Sequence, residues 1–342
     1  MSRNKWSMNR TNERAAMTVD SIVAQVESLL SSSEGQHKVA RSRELLQGLL
    51  QMNGKFRDFV SLIRPRTQVA FYINAGSVNA TRAKLSVRLD GVECGYVVVK
   101  SRGDRQFFPT RKHRHFRALW PENAPSSLPW EDQRVRRYVE GVATIVPTMA
   151  RPEAAVEAAL INKMRESGKP SPLRHHQPVL YPTRRGLPFQ FPLPVTGSSG
   201  RPKLGSGHID VLARFGHGKG FRVFEVKSPG TGSTRAKAIR QAVIYAATLR
   251  YLLSPVIDGD RTFWNSLGKG GSRGKVIEAV AFIEDHPANR CAVDRMMGAL
   301  NSSNSYRIVP RAMYYEWRES PRGRCLAITN ESAGPDQNRP NS

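Results

Sequence analysis

Apolar residues recur at helical spacing in the first part of the chain. From Asp20 to about Ile63, Ile22, Val23, Val26, Leu29 and Leu30, then Leu45, Leu46, Leu49 and Leu50, mark helical faces. The pattern then changes: "TQVAFYINAG", "AKLSVRLDG" and "CGYVVVKSR" read as three strands separated by turn residues, forming a small antiparallel sheet. After the Pro/Ser-rich break "PENAPSSLPW", the segments "EDQRVRRYVEGVATI" and "PEAAVEAALINKMRES" predict helices, with Pro152 in the opening turn of the second. Lys169 to Gly207 is rich in Pro, Gly and Ser and offers one strand, "QPVLYP". Two short strands at about 207–215 and 221–228 are joined by the glycine-rich hairpin "GHGKG". A helix follows in "STRAKAIRQAVIYAATLRYLLS", whose Ile239, Ala242, Val243, Ala246, Leu249 and Leu253 keep one stripe. "KVIEAVAFIED" then reads as a buried strand, "NRCAVDRMMGALN" as a helix and "YRIVPRAMYYEW" as a late strand.

These elements divide the chain into a polar, disordered basic N-terminus at 1–20, an N-terminal α+β domain at 21–145, a second domain at 146–320 and a flexible tail at 321–342. No apolar run approaches the length of a membrane-spanning helix, and the basic start has no apolar stretch behind it, so neither a membrane partner nor a secretory signal is expected. The three cysteines, Cys94, Cys291 and Cys325, are scattered, which fits a reducing, cytoplasmic or nucleoid-associated setting and gives no structural zinc site. A homo-oligomer is left open.

Charge changes the picture most. Fifty-three Lys and Arg against 28 Asp and Glu give a formal net charge of +25, which attracts a polyanion, nucleic acid first among them. "SRGDRQFFPTRKHRHFRALW" interleaves Arg102, Arg105, Arg111, Lys112 and Arg114 with Phe107, Phe108, Phe116 and Trp120. Basic groups can hold phosphates while aromatic faces stack on bases, although the same stretch also reads as a solvated loop whose aromatics enter the core. "GKGGSRGK" fails as a phosphate loop, because Lys269 stands where its first glycine should be and Val276 follows Lys275; it reads as a flexible basic loop.

Candidate chemistry lies in the hairpin strands. If the apolar residues of each strand pack on the core, Asp210 comes beside Glu225 and Lys227 on the opposite face. Two close carboxylates repel unless a cation lies between them, and oxygen ligands of this kind suit Mg2+ or Mn2+. A lysine in reach could orient water and stabilise charge on phosphorus. One Glu-x-Lys triplet arises by chance roughly once in a chain with such charged-residue usage, and cross-strand salt bridges explain it equally well.

The flanking order is helix with glutamate, strand, strand with Asp210, strand with Glu225-Val226-Lys227, then helix with "QAVIY". It resembles the PD-(D/E)XK nuclease superfamily over about residues 150–317, although the residue before Asp210 is Ile209 rather than the family's proline. Gln241 and Tyr245 match the Q-x-x-x-Y signature of the RecB-like branch and share one helical face. The resemblance implies an α/β, restriction-endonuclease-like αβββαβ core with a mixed central sheet flanked by helices. It implies a metal-dependent deoxyribonuclease in which Asp210 and Glu225 bind Mg2+ or Mn2+ and Lys227 positions water. Gln241 and Tyr245 would support substrate or site. It also implies a further metal-binding glutamate on the preceding helix: Glu157, with Glu153 in reserve. Lys237 could touch phosphate or stand solvated. The cysteines cannot supply the four ligands of the iron–sulfur cluster found in some RecB-like nucleases. A nucleic-acid-binding protein without catalysis on the same fold, and an RNA-directed nuclease, remain as alternatives.

Overall fold

A computed structural model describes residues 18–51, 69–78, 82–89, 91–100, 104–110, 114–145, 153–165, 173, 175–179, 189–216, 220–230, 233–253, 276–300, 306–318 and 325–333. These residues form a mixed α/β structure of seven helices and thirteen strands. The helices are α1 (Val19–Ser31), α2 (Ser33–Gln51), α3 (Arg114–Leu119), α4 (Gln133–Ile145), α5 (Glu153–Arg165), α6 (Ser233–Leu252) and α7 (Pro287–Leu300). The strands run in two sheets.

The first sheet has the order β5-β4-β3-β2-β1-β7-β8, with β1 at Val69–Val78, β2 at Arg82–Leu89, β3 at Val92–Lys100, β4 at Arg105–Pro109, β5 at Leu128–Pro129, β7 at Phe189–Thr196 and β8 at Lys203–Ile209. The predicted antiparallel three-strand unit is present as β1–β3, extended by β4. The second sheet has the order β13-β12-β11-β10-β9-β6, with β6 at Gln177–Pro178, β9 at Val211–Phe215, β10 at Gly220–Val226, β11 at Val276–Glu284, β12 at Ile308–Arg318 and β13 at Cys325–Ala333. In it β10 runs parallel to β11 and β11 parallel to β12, while β9 and β13 pair antiparallel at either side.

Both faces of the second sheet are covered. Val156, Leu160, Ile161 and Met164 of α5 pack on Val211, Phe224, Val226, Val280 and Phe282. On the other face Ile239, Ala242, Val243 and Ala246 of α6 join Phe221, Val223, Ala279 and Ala281. Strands buried on both sides read as continuous apolar runs, which is why β10 and β11 show little alternation. Each large apolar side chain there, such as the fully buried Phe224, contributes about 3–5 kcal/mol relative to alanine.

Three elements depart from the sequence-based expectation. The sheet crosses the expected boundary at 146: β1 pairs with β7 through Ile73–Phe189 and Asn74–Gln190, and one hydrophobic cluster runs from Val19 to Tyr314. Strand β7, "FQFPLPVT", reads as a loop because of Pro192 and Pro194; both prolines lie beyond the two residues that pair with β1, where no N–H is required on that side. Part of the expected flexible tail is strand β13, held antiparallel on β12 with Leu326 buried. Of the expected disordered N-terminus, residues 1–17 lie outside the described residues, while Thr18 caps α1 through its side chain. No helix among the described residues is long and apolar enough to cross a membrane.

Candidate functional site

Asp210 occupies a bend. The chain leaves the first sheet at Ile209 and enters the second at Val211, so the single strand expected over 207–215 is two strands with Asp210 at the joint. The β9–β10 ladder stops at Val211–Phe224, and Asp210 Oδ2 instead accepts the backbone N–H of Val226 at 2.8 Å. The carboxylate thereby replaces a ladder bond and is aimed at the end of β10. Lys227, just past that end, is fixed on both sides: its N–H donates to the Phe282 carbonyl at 3.0 Å, and its carbonyl accepts from the Tyr315 hydroxyl at 2.7 Å.

Glu153 and Glu157 project from the start of α5, four residues apart and hence on one face. One carboxylate oxygen from each of Glu153, Glu157 and Asp210 lies within 4.8 Å of the others. The Lys227 ammonium pairs with Glu225 Oε1 and stands 3.7 Å from Glu153 Oε2. Glu157 Oε2 and Glu225 Oε2 are buried without a hydrogen-bond partner among the described residues. On α6 the Gln241 amide donates to the Tyr245 hydroxyl at 3.0 Å. Gly207 of β8 permits this approach: a Cβ there would overlap the Val195 carbonyl and stand 3.2 Å from Tyr245 Cε1.

Burial dominates the electrostatics. It pushes the Glu157 carboxyl up to about 7, against the Arg88 charge, and Glu153 adds to the rise. Glu225 is likewise raised to about 7 by burial, which outweighs its pairing with Lys227. Asp210 is held well above the usual carboxylate range by burial and by Glu225 and Glu157, although the Val226 N–H favours its anion. Burial works to lower Lys227, but Glu225 and Glu153 together outweigh it, so the ammonium is stabilised. Burial and the Glu225 charge raise Tyr245, which keeps its proton.

Sequence reasoning missed the contribution of the first sheet. Gly91, at φ 80° in the β2–β3 turn, lies so close to α5 that a Cβ would overlap the backbone of Ala154 and Ala155. Arg88 and Tyr72 are thereby brought beside Glu157: Arg88 Cζ lies 4.3 Å above the Tyr72 ring, and the Glu157 charge raises the Tyr72 hydroxyl, after burial itself. The alternation of Lys84, Ser86 and Arg88 in β2 signals a polar face but says nothing of what covers it.

The structure brings together Asp210, Glu225, Lys227, Glu157, Gln241 and Tyr245. It alters two details. Glu153, held in reserve, joins Glu157 and Asp210 in the close carboxylate triad, whereas Glu225 stands outside that triad and is paired with Lys227. The expected division into apolar and polar faces also fails, because the face bearing Glu225 carries Val223 and Phe221 in the core beneath α6. Of the basic candidates, Arg102, Arg111 and Lys112 lie outside the described residues; Arg105 is 3.0 Å from Glu131, and Arg114 and Lys237 are exposed. Phe107 and Phe116 are fully buried and Trp120 packs against the same core, so the interleaved aromatics are mostly interior; Phe108 is the one on the outer face.

No protein-family model, curated protein or solved structure matches the chain.

Lys227 and Arg88 offset part of the negative charge, yet Glu157 Oε2 and Glu225 Oε2 have no hydrogen-bond partner among the described residues. The donor set is all oxygen, as a hard divalent cation requires, and Glu157 Oε2 lacks a partner inside the close triad. The residues therefore fit Mg2+ or Mn2+.

Proposed function

We propose that the chain is a metal-dependent nuclease that hydrolyses phosphodiester bonds of DNA. The observation that carries this is the convergence of Glu153, Glu157 and Asp210 within 4.8 Å, beside a lysine on the end of β10. Apart from the two-residue β6, the order α5, β7, the bent β8–β9 strand, β10, α6 and β11 follows the αβββαβ order that the motifs suggest, although β7 and β8 belong to the first sheet and β9–β11 to the second.

In this reading Glu153, Glu157 and Asp210 hold the cation, with Glu225 lending its unpartnered oxygen to the same negative field. A divalent ion there supplies Lewis-acid polarisation of a phosphoryl oxygen and a stronger water nucleophile at neutral pH. Lys227 stays charged and orients the attacking water while offsetting the charge that builds on phosphorus. Glu225 fixes the direction of that ammonium. Gln241 and Tyr245 brace the wall facing Glu225. The net charge of +25 concentrates a polyanion around the molecule, and its binding weakens steeply with salt.

The test is incubation with circular, linear duplex and single-stranded DNA and with RNA, in Mg2+ or EDTA. Cutting of DNA that requires Mg2+ and falls about 100- to 1,000-fold in Lys227→Ala is expected. Cleavage that survives unchanged in Lys227→Ala sinks the assignment. Preferential cutting of RNA transfers it to the other nucleic acid, and tight binding without cutting leaves a binding protein.

A further inference from the structure

The outer face of the first sheet carries a row that the site chemistry leaves unused. Register places Tyr72 opposite Ser86, Ser86 opposite Tyr96 and Tyr96 opposite Phe108, so four strands present these residues in one transverse line. Neighbouring strands lie about 4.8 Å apart, which makes the line roughly 15 Å long. The intervening Leu85, Val87, Val97 and Phe107 point the other way, into the core.

The two ends of the row differ. The Tyr72 end is closed: Tyr72 and Ser86 are buried, α5 docks at Gly91 and the Glu157 charge reaches Tyr72. At the other end the face opens into a groove of about 620 Å³ lined by Lys84, Tyr96 and Phe108 among others. There the half-buried Tyr96 and Phe108 rings stack at 4.8 Å and 8°, and the exposed Lys84 ammonium stands 3.7 Å above Tyr96. A polar chain links the ends: Ser86 Oγ donates to Glu93 Oε2 at 2.7 Å, and Arg88 Nε donates to Ser86 Oγ at 3.1 Å, with Arg88 lying over Tyr72.

From the open end of this row we infer that the outer face of the first sheet is a track for an unpaired nucleic-acid strand, with a base packed on the face of Phe108 that Tyr96 leaves free and a phosphate beside Lys84. A paired base hides its face in the duplex, so the free face of Phe108 selects unstacked nucleotides, and the Lys84 cation in the same groove suits the phosphate that follows. The inference deepens the nuclease reading and rests on it for the class of polymer bound. Substrate preference would follow from it: single strands, flaps or frayed ends over intact duplex.

Binding measured in EDTA separates the two ideas, because no cutting is needed. Fluorescence anisotropy with labelled (dT)15, (rU)15 and a 15-base-pair duplex is expected to rank the single strands above the duplex. The double substitution Tyr96→Ala, Phe108→Ala should weaken single-strand binding about 10-fold or more, while Tyr96→Phe should retain it. Lys84→Glu should weaken it too and make its salt dependence shallower by about one phosphate contact. Photocrosslinking of iodouracil-substituted (dT)15 to the unaltered protein should give adducts at Tyr96 or Phe108, and this decides the matter if the double variant does not fold. Equal affinity in the folded stack variants, adducts mapping elsewhere, or tighter binding of duplex overturns the track. Adducts on the stack without Mg2+-dependent cutting would remove the nuclease reading and leave the track standing.

Discussion

Two buried charge clusters lie in or against the second sheet, and they are built on opposite plans. Glu278 of β11 shares its carboxylate between two guanidiniums, Arg222 Nε on one oxygen and Arg311 Nε at 2.7 Å on the other. All three residues are buried, and each strand contributes one of them. Glu157, Asp210 and Glu225 are buried to a similar degree or at the joint between sheets, yet two of their oxygens lack hydrogen-bond partners among the described residues, with Lys227 paired to Glu225 and the Arg88 charge acting on Glu157. Burial of charge is tolerated when it is paired and hydrogen-bonded. Glu278 meets that condition within the chain. The site acids meet it only in part, and burial raises their proton affinity.

The sharpest way to break the comparison is to remove charge from each group. Glu278→Gln takes away the anion that two guanidiniums share and is expected to cost about 3–5 kcal/mol, read as a fall in the denaturation midpoint. Asp210→Asn should do the opposite in EDTA at pH 8, raising the denaturation midpoint, because a disfavoured buried charge disappears while an amide oxygen can still accept the Val226 N–H. The same substitution should abolish any stabilisation by Mg2+. If both variants lose stability equally, the site acids are structural.

A second way uses pH. Glu157 and Glu225 are raised to about 7 in the fold, so the folded protein keeps protons that the unfolded chain releases. Their contribution to stability is present below the unfolded carboxylate range, is lost as pH rises through about 7, and should return on adding Mg2+. His176 opposes this at the acid side, since burial lowers its imidazole to about 4 and its contribution is lost as pH falls. Comparing the pH dependence of unfolding in the unaltered protein and in Glu157→Gln isolates the carboxylate share; identical slopes would show that Glu157 carries none. The smallest effect is expected for Gln241→Ala, which removes one hydrogen bond to Tyr245 and should cost about 1 kcal/mol of stability. A calorimetric melt checks it.

Much of the grouping was legible because charge in an apolar strand is conspicuous. Asp210, Glu225 and Lys227 stand out against Val, Ile and Phe, and Gln241 and Tyr245 are joined by helical spacing. Glu157 followed from its place on the helix before the strands, while Glu153, one turn earlier, is indistinguishable from a solvated acid until Asp210 is seen beside it. Arg88 and Tyr72 were not legible, since their approach to Glu157 depends on the turn at Gly91 docking on α5, a contact distant along the chain. The interleaving of Phe107, Phe116 and Trp120 with arginines hides which rings face inward, because side-chain direction is set by the pairing of β4 with β3 and by the packing of α3. The boundary at 146 misled for a related reason: Pro147 and Pro152 punctuate the sequence there, and only the β1–β7 pairing reveals that the same sheet continues beyond it.

The bend at Asp210 has a mechanical meaning. One side chain both terminates the strand ladder and stands among the oxygen donors, so any ion captured there would also clamp the elbow at which the chain passes between the two layers. Loading the pocket and setting the pitch of one layer against the other would then be a single event, with the Val226 amide proton as its natural reporter.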